Sequence, residues 1–111
     1  MAYDEQLAER IRALAAEEPT LTEKRMFGGL AFLINGNMAV SASGQGGILV
    51  RVDPAESDRL VDETPAELAV MRGRPMLGWL RVREEDIRTK RDLAGWVARG
   101  TTYAGSLPAK K

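Results

Sequence analysis

The segment from Arg25 to Val40 constrains the fold most. Arg25-Met26-Phe27-Gly28-Gly29 leads into Leu30-Ala31-Phe32-Leu33-Ile34, then Asn35-Gly36, then Asn37-Met38-Ala39-Val40. Apolar residues on either side of an Asn-Gly pair are a strong short-range signal for a β-hairpin. The Gly28-Gly29 pair points to a bulge or a close backbone approach at the start of the strand. Register then follows from which residues share a face. A two-residue Asn35-Gly36 loop pairs Leu33 with Met38 and Ala31 with Val40, which sets Phe32 against Ala39 and Leu30 against Ser41 and splits the large apolar groups between faces. A three-residue Ile34-Asn35-Gly36 loop sets Phe32 against Met38 and Leu30 against Val40, with Gly36 in the left-handed conformation. One-sided burial is what specifies register, so the three-residue loop is expected, with strands over 25–34 and 38–43.

Other elements attach to this hairpin. Leu7, Ile11 and Leu14 recur at helical spacing over residues 3–17, with Asp4 and Glu5 in the first turn and Pro19 beyond the end. Ile48–Val52 reads as a strand. Asp53-Pro54-Ala55-Glu56 reads as the capped start of a second helix stopped by Pro65. Leu68–Met71 and Leu77–Val82 read as strands around an Arg72–Pro75 turn. Thr89 with Asp92 caps a last helix whose inner stripe is Leu93, Trp96, Val97, Gly100 and Tyr103 or Ala104. Residues 105–111 read as a frayed basic tail. The expected fold is α+β: a two-layer sandwich, an antiparallel sheet with helices on one face, in the order α-β-β-β-α-β-β-α. Leu7, Ile11, Leu14, Leu30, Phe32, Val40, Leu93, Trp96 and Val97 are the expected core. Trp79 is expected inside as well.

Composition narrows the chemistry. At 111 residues the chain is expected to be one domain. It contains neither histidine nor cysteine. A Ser-His-Asp arrangement, a thiol nucleophile and a zinc site of the usual kind are therefore excluded. Ser41 and Ser43 lack a histidine base and read as structural. The carboxylates of residues 53–67 match no calcium-loop spacing and read as a solvated helix face. Gly44-Gln45-Gly46-Gly47 is followed by a strand and by no Gly-Lys-Ser/Thr, so it reads as a turn and not a phosphate loop. No catalytic residue, cofactor or metal is expected. No apolar run approaches the 18 residues or so of a membrane span, and the acidic N-terminal segment is unlike a signal peptide. The expected location is cytoplasmic, with no membrane partner.

Charge is uneven although it sums to zero. Residues 1–70 carry six basic and twelve acidic groups, and residues 71–111 carry ten basic and four acidic ones. Either the two halves pair in the fold, or the basic part faces an anionic partner. Arg72 and Arg74 flank Gly73 on a turn, where arginines bind carboxylate or phosphate bidentately. With Arg25 nearby they would make a candidate anion- or partner-binding site. The alternative is that they are solvated or structurally paired.

Several stretches together resemble the N-terminal domain of the TfoX/Sxy family of competence-associated regulators. They are Arg25-Met26-Phe27-Gly28-Gly29, Asn35-Gly36 with Met38, Gly73-Arg74-Pro75-Met76 with Gly78-Trp79, Leu93-Ala94-Gly95-Trp96-Val97, and Tyr103-Ala104-Gly105-Ser106-Leu107-Pro108-Ala109-Lys110-Lys111. They cover nearly the whole chain in order. The resemblance implies the same α-β3-α-β2-α topology. Members with two domains are linked to control of DNA-uptake genes, acting with a cyclic-AMP receptor protein and not as independent DNA readers, and the family motif supplies no catalytic residue to carry over. Two-domain members continue into a C-terminal domain that resembles a helical nucleic-acid-binding fold. This sequence stops at Lys111, so direct transcriptional activity is not expected of it.

The reading from sequence is a small regulatory or protein-interaction domain that binds a protein partner or itself, with weak or indirect contact to nucleic acid. Two alternatives stand beside it: a small-anion sensor or enzyme built on the arginines, and direct nucleic-acid binding.

Overall fold

Asp4 opens the first element. Its carboxylate accepts hydrogen bonds from the Gln6 and Leu7 backbone N–H groups at 2.9 and 3.2 Å, the capping geometry that starts helix α1 at Glu5–Leu14. The computed structural model describes residues 3–26 and 28–109; Phe27 of the hairpin motif and Lys110 and Lys111 of the expected tail lie outside the described residues. After α1 come β1 (Leu21–Met26), β2 (Gly29–Ile34), β3 (Asn37–Ala42) and β4 (Ile48–Arg51). A short 3₁₀ turn (Pro54–Glu56) leads into α2 (Ser57–Glu63), followed by β5 (Glu67–Met71), β6 (Arg74–Val82), a second 3₁₀ turn (Glu84–Asp86) and α3 (Lys90–Ser106). Among the described residues, six strands form one sheet in the order β1-β2-β3-β4-β6-β5, and every neighbouring pair is antiparallel.

The α+β sandwich is as expected, but the order has one strand more: four strands precede α2, not three. The strand expected over 25–34 is the end of β1, a turn at Gly28 and then β2. Leu21-Thr22-Glu23-Lys24-Arg25-Met26 shows no apolar alternation because β1 is an edge strand whose four central residues are exposed. The close approach expected at the glycine pair is present at Gly29, where a Cβ would stand 2.2 Å from the Ala42 carbonyl oxygen.

Paired residues across the sheet sort its two faces. One row runs Glu23, Phe32, Val40, Val50, Leu80, Leu68, and the next runs Arg25, Leu30, Ala42, Ile48, Val82. Their apolar members join Leu7 and Ile11 of α1, Leu60 of α2, and Leu93, Trp96 and Val97 of α3 in one core. All three helices therefore cover this face. Leu14 is only half-buried, at the edge of the cluster. The opposite face carries the row Lys24, Ala31, Ser41, Leu49, Arg81, Glu67. Ala31 and Ser41 are buried there.

The hairpin reaches its one-sided burial by a route other than the expected loop. Asn35 and Gly36 form a two-residue turn with φ of 53° and 81°, closed by Ile34 opposite Asn37 and Leu33 opposite Met38. Both central residues are left-handed, the conformation that matches strand twist. The register then shifts, so that Phe32 faces Val40 and Leu30 faces Ala42. Ala39 is the extra residue of a β-bulge. The bulge, not the loop length, brings Phe32, Val40 and Leu30 onto one face. It also thrusts the Ala39 carbonyl against α3, where a Cβ on Gly100 would stand 2.4 Å from that oxygen.

The other departures are local. Asp53 caps the 3₁₀ turn through the Ala55 N–H at 2.9 Å, but Glu56 bonds Arg59 at 3.0 Å and does not reach back to complete a capping box. Pro75 is accommodated in β6 because β4 pairs only with Trp79–Val82, so residue 75 meets β5 alone. The last helix continues through Ser106, and the Asn37 side-chain amide donates to the Pro108 carbonyl at 2.9 Å, both within the segment read as frayed.

Two glycines of α3 separate close approach from simple helix propensity. Gly100→Ala should destabilise by about 1–3 kcal/mol through overpacking against Ala39, although alanine favours helix. Gly95 has nothing within 4 Å of a built Cβ. Gly95→Ala should therefore stabilise by about 0.5–1 kcal/mol. Urea unfolding midpoints check both, and equal gains from the two substitutions would remove the role given to the bulge contact.

Candidate interaction surface

The sheet separates the three arginines singled out in the sequence. Arg25 lies on β1, Arg72 in the β5–β6 turn and Arg74 at the start of β6, so the first is at one edge of the sheet and the other two are at the opposite edge. Five strand spacings lie between the edges, roughly 24 Å. All three arginines are exposed. Arg25 thus joins no common site with Arg72 and Arg74, which remain neighbours on one hairpin.

Arg72 has a φ of 53° and Gly73 of 78°. The two close a second left-handed turn, with Met71 opposite Arg74. The first position of such a turn favours asparagine, aspartate or glycine, so an arginine is held there against the backbone's preference. Beyond the turn, Val70 faces Pro75 across the strands, and Leu77 follows two residues on. Val70 is 62% and Leu77 57% exposed, large values for apolar side chains, and Pro75 is exposed with them. The hairpin therefore presents an apolar strip beside two cations at the free edge.

Its shape comes from a second irregularity. Leu68 faces Leu80 but Ala69 faces Met76, so Leu77, Gly78 and Trp79 have no partner on β5. Gly78, at a φ of 87°, holds this bulge in place. Its N–H donates to the Ser57 Oγ at 2.6 Å and its carbonyl accepts from the Val52 N–H at 2.8 Å. Ser57 is fully buried at the start of α2 and was not singled out in the sequence, where it reads as one more polar residue near a helix start. Trp79 is half-buried, not interior as expected, because it pairs with Arg51 at the end of β4. The Arg51 guanidinium lies 5.1 Å from its ring and 5.8 Å from that of Tyr103.

The concave parts of the surface hold other residues. One cleft, about 460 Å³, lies between α3 and the start of α2 and is lined by Asp53, Glu56, Leu60, Arg99, Thr102 and Tyr103 among others. Another, about 400 Å³, contains the Gly46-Gly47 turn with Arg81 and Arg83. Arg83 is paired with Glu67 at 3.2 Å and Arg81 donates to the Gln45 side chain. The glycine-rich turn is closed on itself: the Gly46 N–H donates to the Ser43 carbonyl at 3.1 Å and the Ser43 N–H to the Gly47 carbonyl at 3.0 Å. Ser41 and Ser43 likewise bond locally, the first to the Ala42 carbonyl and the second to the Gln45 N–H. Among the described residues, no group of three or more Asp or Glu could hold a metal ion. None of their helices is long and apolar enough to cross a membrane.

Charge pairing is mostly local. Arg83 with Glu67 is the one ion pair among the described residues that joins the acidic segment 1–70 to the basic remainder. Arg12 of α1 contacts Glu9 and Glu23, the latter at 2.6 Å, and so ties α1 to the β1 edge. The hydrogen bond from Arg12 holds the Glu23 carboxyl below the usual glutamate range, against the opposing effect of desolvation and with help from the nearby positive charge. Arg10 reaches across to the segment before α3, donating to the Ile87 and Arg88 carbonyls at 2.8 and 3.1 Å.

Two predictions follow from these contacts. A depressed carboxylate pKa gives stability that is present above the unfolded value, about 4.3, and is lost as pH falls through the folded value. Both side chains are about a third exposed, so solvent screening limits the pair to roughly 0.2–1 kcal/mol. The difference in melting temperature between the parent chain and Glu23→Gln should shrink as pH drops below 4 or so and as salt rises. A difference independent of pH would refute the ion-pair account. Arg72→Asn should stabilise the fold by up to about 1 kcal/mol, read as a higher urea midpoint, because asparagine tolerates the left-handed turn position. A loss of stability would mean that Arg72 makes a stabilising contact that outweighs its backbone cost.

A family model, the TfoX N-terminal domain, matches residues 12–104. That span runs from the last turn of α1 nearly to the end of α3, and includes both hairpins and the bulges at Ala39 and Gly78. Comparison with curated proteins and with solved structures gives no match. With most of the chain covered in order, the protein belongs to the TfoX N-terminal domain family.

Proposed function

We propose that this domain is a non-catalytic regulatory module that works by binding a protein partner, in the manner implied by its family. The observation that carries the reading is the free β5–β6 edge, where Val70, Pro75 and Leu77 are exposed beside Arg72 and Arg74. Exposed apolar groups ringed by charge, next to unpaired strand backbone, suit a protein partner better than a small ligand. The family match supports a regulatory role, and the link to competence genes through a second regulator comes with the resemblance. A cytoplasmic site of action fits that role.

The anion-sensor or enzyme reading requires Arg25, Arg72 and Arg74 around one concavity, and two opposite sheet edges do not provide it. Direct nucleic-acid recognition requires one basic face. The row across the open sheet face instead alternates Lys24, Leu49, Arg81 and Glu67 around buried small residues. Few phosphates can be neutralised at once by such a surface. Binding to duplex DNA should therefore be weak, insensitive to sequence and lost as salt rises toward physiological strength. A titration of labelled duplexes of different sequence measures this directly. Tight, sequence-dependent binding near physiological salt would overturn the module reading in favour of nucleic-acid recognition.

A further inference from the structure

We infer that β5 is a docking edge for a second copy of this chain, which adds its own β5 in antiparallel register centred on Ala69. The inference deepens the module reading by naming a partner, and it rests on that reading.

The two sheet edges differ in how they meet solvent. Along β1 the exposed run Thr22-Glu23-Lys24-Arg25 places charge on the edge, which opposes addition of another strand. Along β5 the run Leu68-Ala69-Val70-Met71 carries no charge, and Val70 is 62% exposed. The only strand paired with β5 among the described residues is β6, so the outward backbone groups of β5 have no sheet partner. Such an edge is a template for strand addition.

The sequence of β5 is complementary to itself when reversed. A two-fold axis through Ala69, perpendicular to the sheet, keeps the helix-covered faces of both copies on the same side. It sets Leu68 opposite the partner's Val70 and Glu67 opposite the partner's Met71. Leu68, half-buried at the rim of the core, then extends the apolar surface over the exposed valine. The same operation brings the acidic end of one strand to the basic end of the other. Arg72, one residue past the strand, comes opposite Ala66 of the partner subunit and diagonally across from the partner's Glu67, a carboxylate that pairs with its own Arg83 at 3.2 Å and is exposed enough to take a second cation. This gives a role to an arginine held at a left-handed turn position where asparagine or glycine fits better. The contact repeats twice by symmetry, as an isologous interface requires. A foreign strand would have to supply both the apolar stripe and the reversed charge pattern; a second copy already carries both.

A single strand pair buries less than a typical stable interface, so the dimer should be weak and concentration-dependent. Sedimentation velocity over a wide concentration range tests it on the full chain. The parent chain should shift from monomer to dimer, and Val70→Lys should remain monomeric with an unchanged melting temperature, since the residue is exposed. Glu67→Arg and Arg72→Glu should each weaken association by roughly tenfold or more through like-charge opposition. An equal mixture of those two variants should recover dimer, because each copy then faces a complementary charge at both contacts. A parent chain that stays monomeric throughout would overturn the inference, and so would a dimer indifferent to Val70→Lys. A mixture that fails to recover would overturn the proposed register. None of these failures would resemble failure of the module reading, which shows itself as tight, sequence-dependent DNA binding.

Discussion

The contact between the Ala39 carbonyl and Gly100 is the constraint on which the rest of the structure depends. The oxygen stands 2.4 Å from where a Cβ of residue 100 would be, so α3 lies against the backbone of β3 with no side chain between. That closeness follows from the bulge, which turns Phe32, Val40 and Leu30 onto one face. The bulge makes the sheet one-sided, the one-sided sheet gathers all three helices, and the closely seated α3 brings Leu93, Trp96 and Val97 into the same core. Ile34, Ala39 and Ala104 complete the packing beyond Gly100 in a smaller cluster. Small residues at 39, 100 and 104 are what permit a helix to approach a strand so closely.

Once the helices occupy one face, the remaining face and the two edges are what the molecule can offer to others. The open face is broken up by Lys24, Arg81 and Glu67 among leucines and buried small residues. One edge is charged and the other is apolar. The second bulge, held by the buried Ser57 hydroxyl and the Val52 N–H, fixes the Leu77–Trp79 segment and so sets the form of the apolar edge. A structural serine at the start of α2 thereby shapes a surface it does not reach.

Much of this was legible in the sequence where periodicity and local chemistry agree. The helices announced themselves through Leu7 and Ile11, through Asp53 and Pro54, and through Thr89 with the Leu93, Trp96 and Val97 stripe. The core followed from the same residues, and Gly36 was expected in the left-handed region it occupies, at a φ of 81°. Two features were hidden. Strand β1 has no apolar alternation, because an exposed edge needs none, so its presence depends on pairing with β2. The hairpin bulge was hidden because two routes lead to the same one-sided burial, a longer loop or an extra residue in the strand, and pattern alone does not separate them. Gly100 was the available clue: a glycine on the inner stripe of a helix marks close backbone approach. For the surface, Arg72 and Arg74 were visible as a pair, whereas the distance to Arg25 is a property of strand order. That order, β4-β6-β5, depends on which strand β4 pairs with after the α2 crossover.

The central functional claim is that the uncharged edge, and not the charged one, receives the partner. Amide hydrogen exchange at low and high protein concentration tests it most directly, because strand addition protects the outward N–H groups of the edge it covers. The account predicts added protection within Glu67–Met71 as concentration rises, with exchange along Leu21–Met26 unchanged. Protection appearing along Leu21–Met26 instead, or exchange in Glu67–Met71 that does not change with concentration, would contradict it.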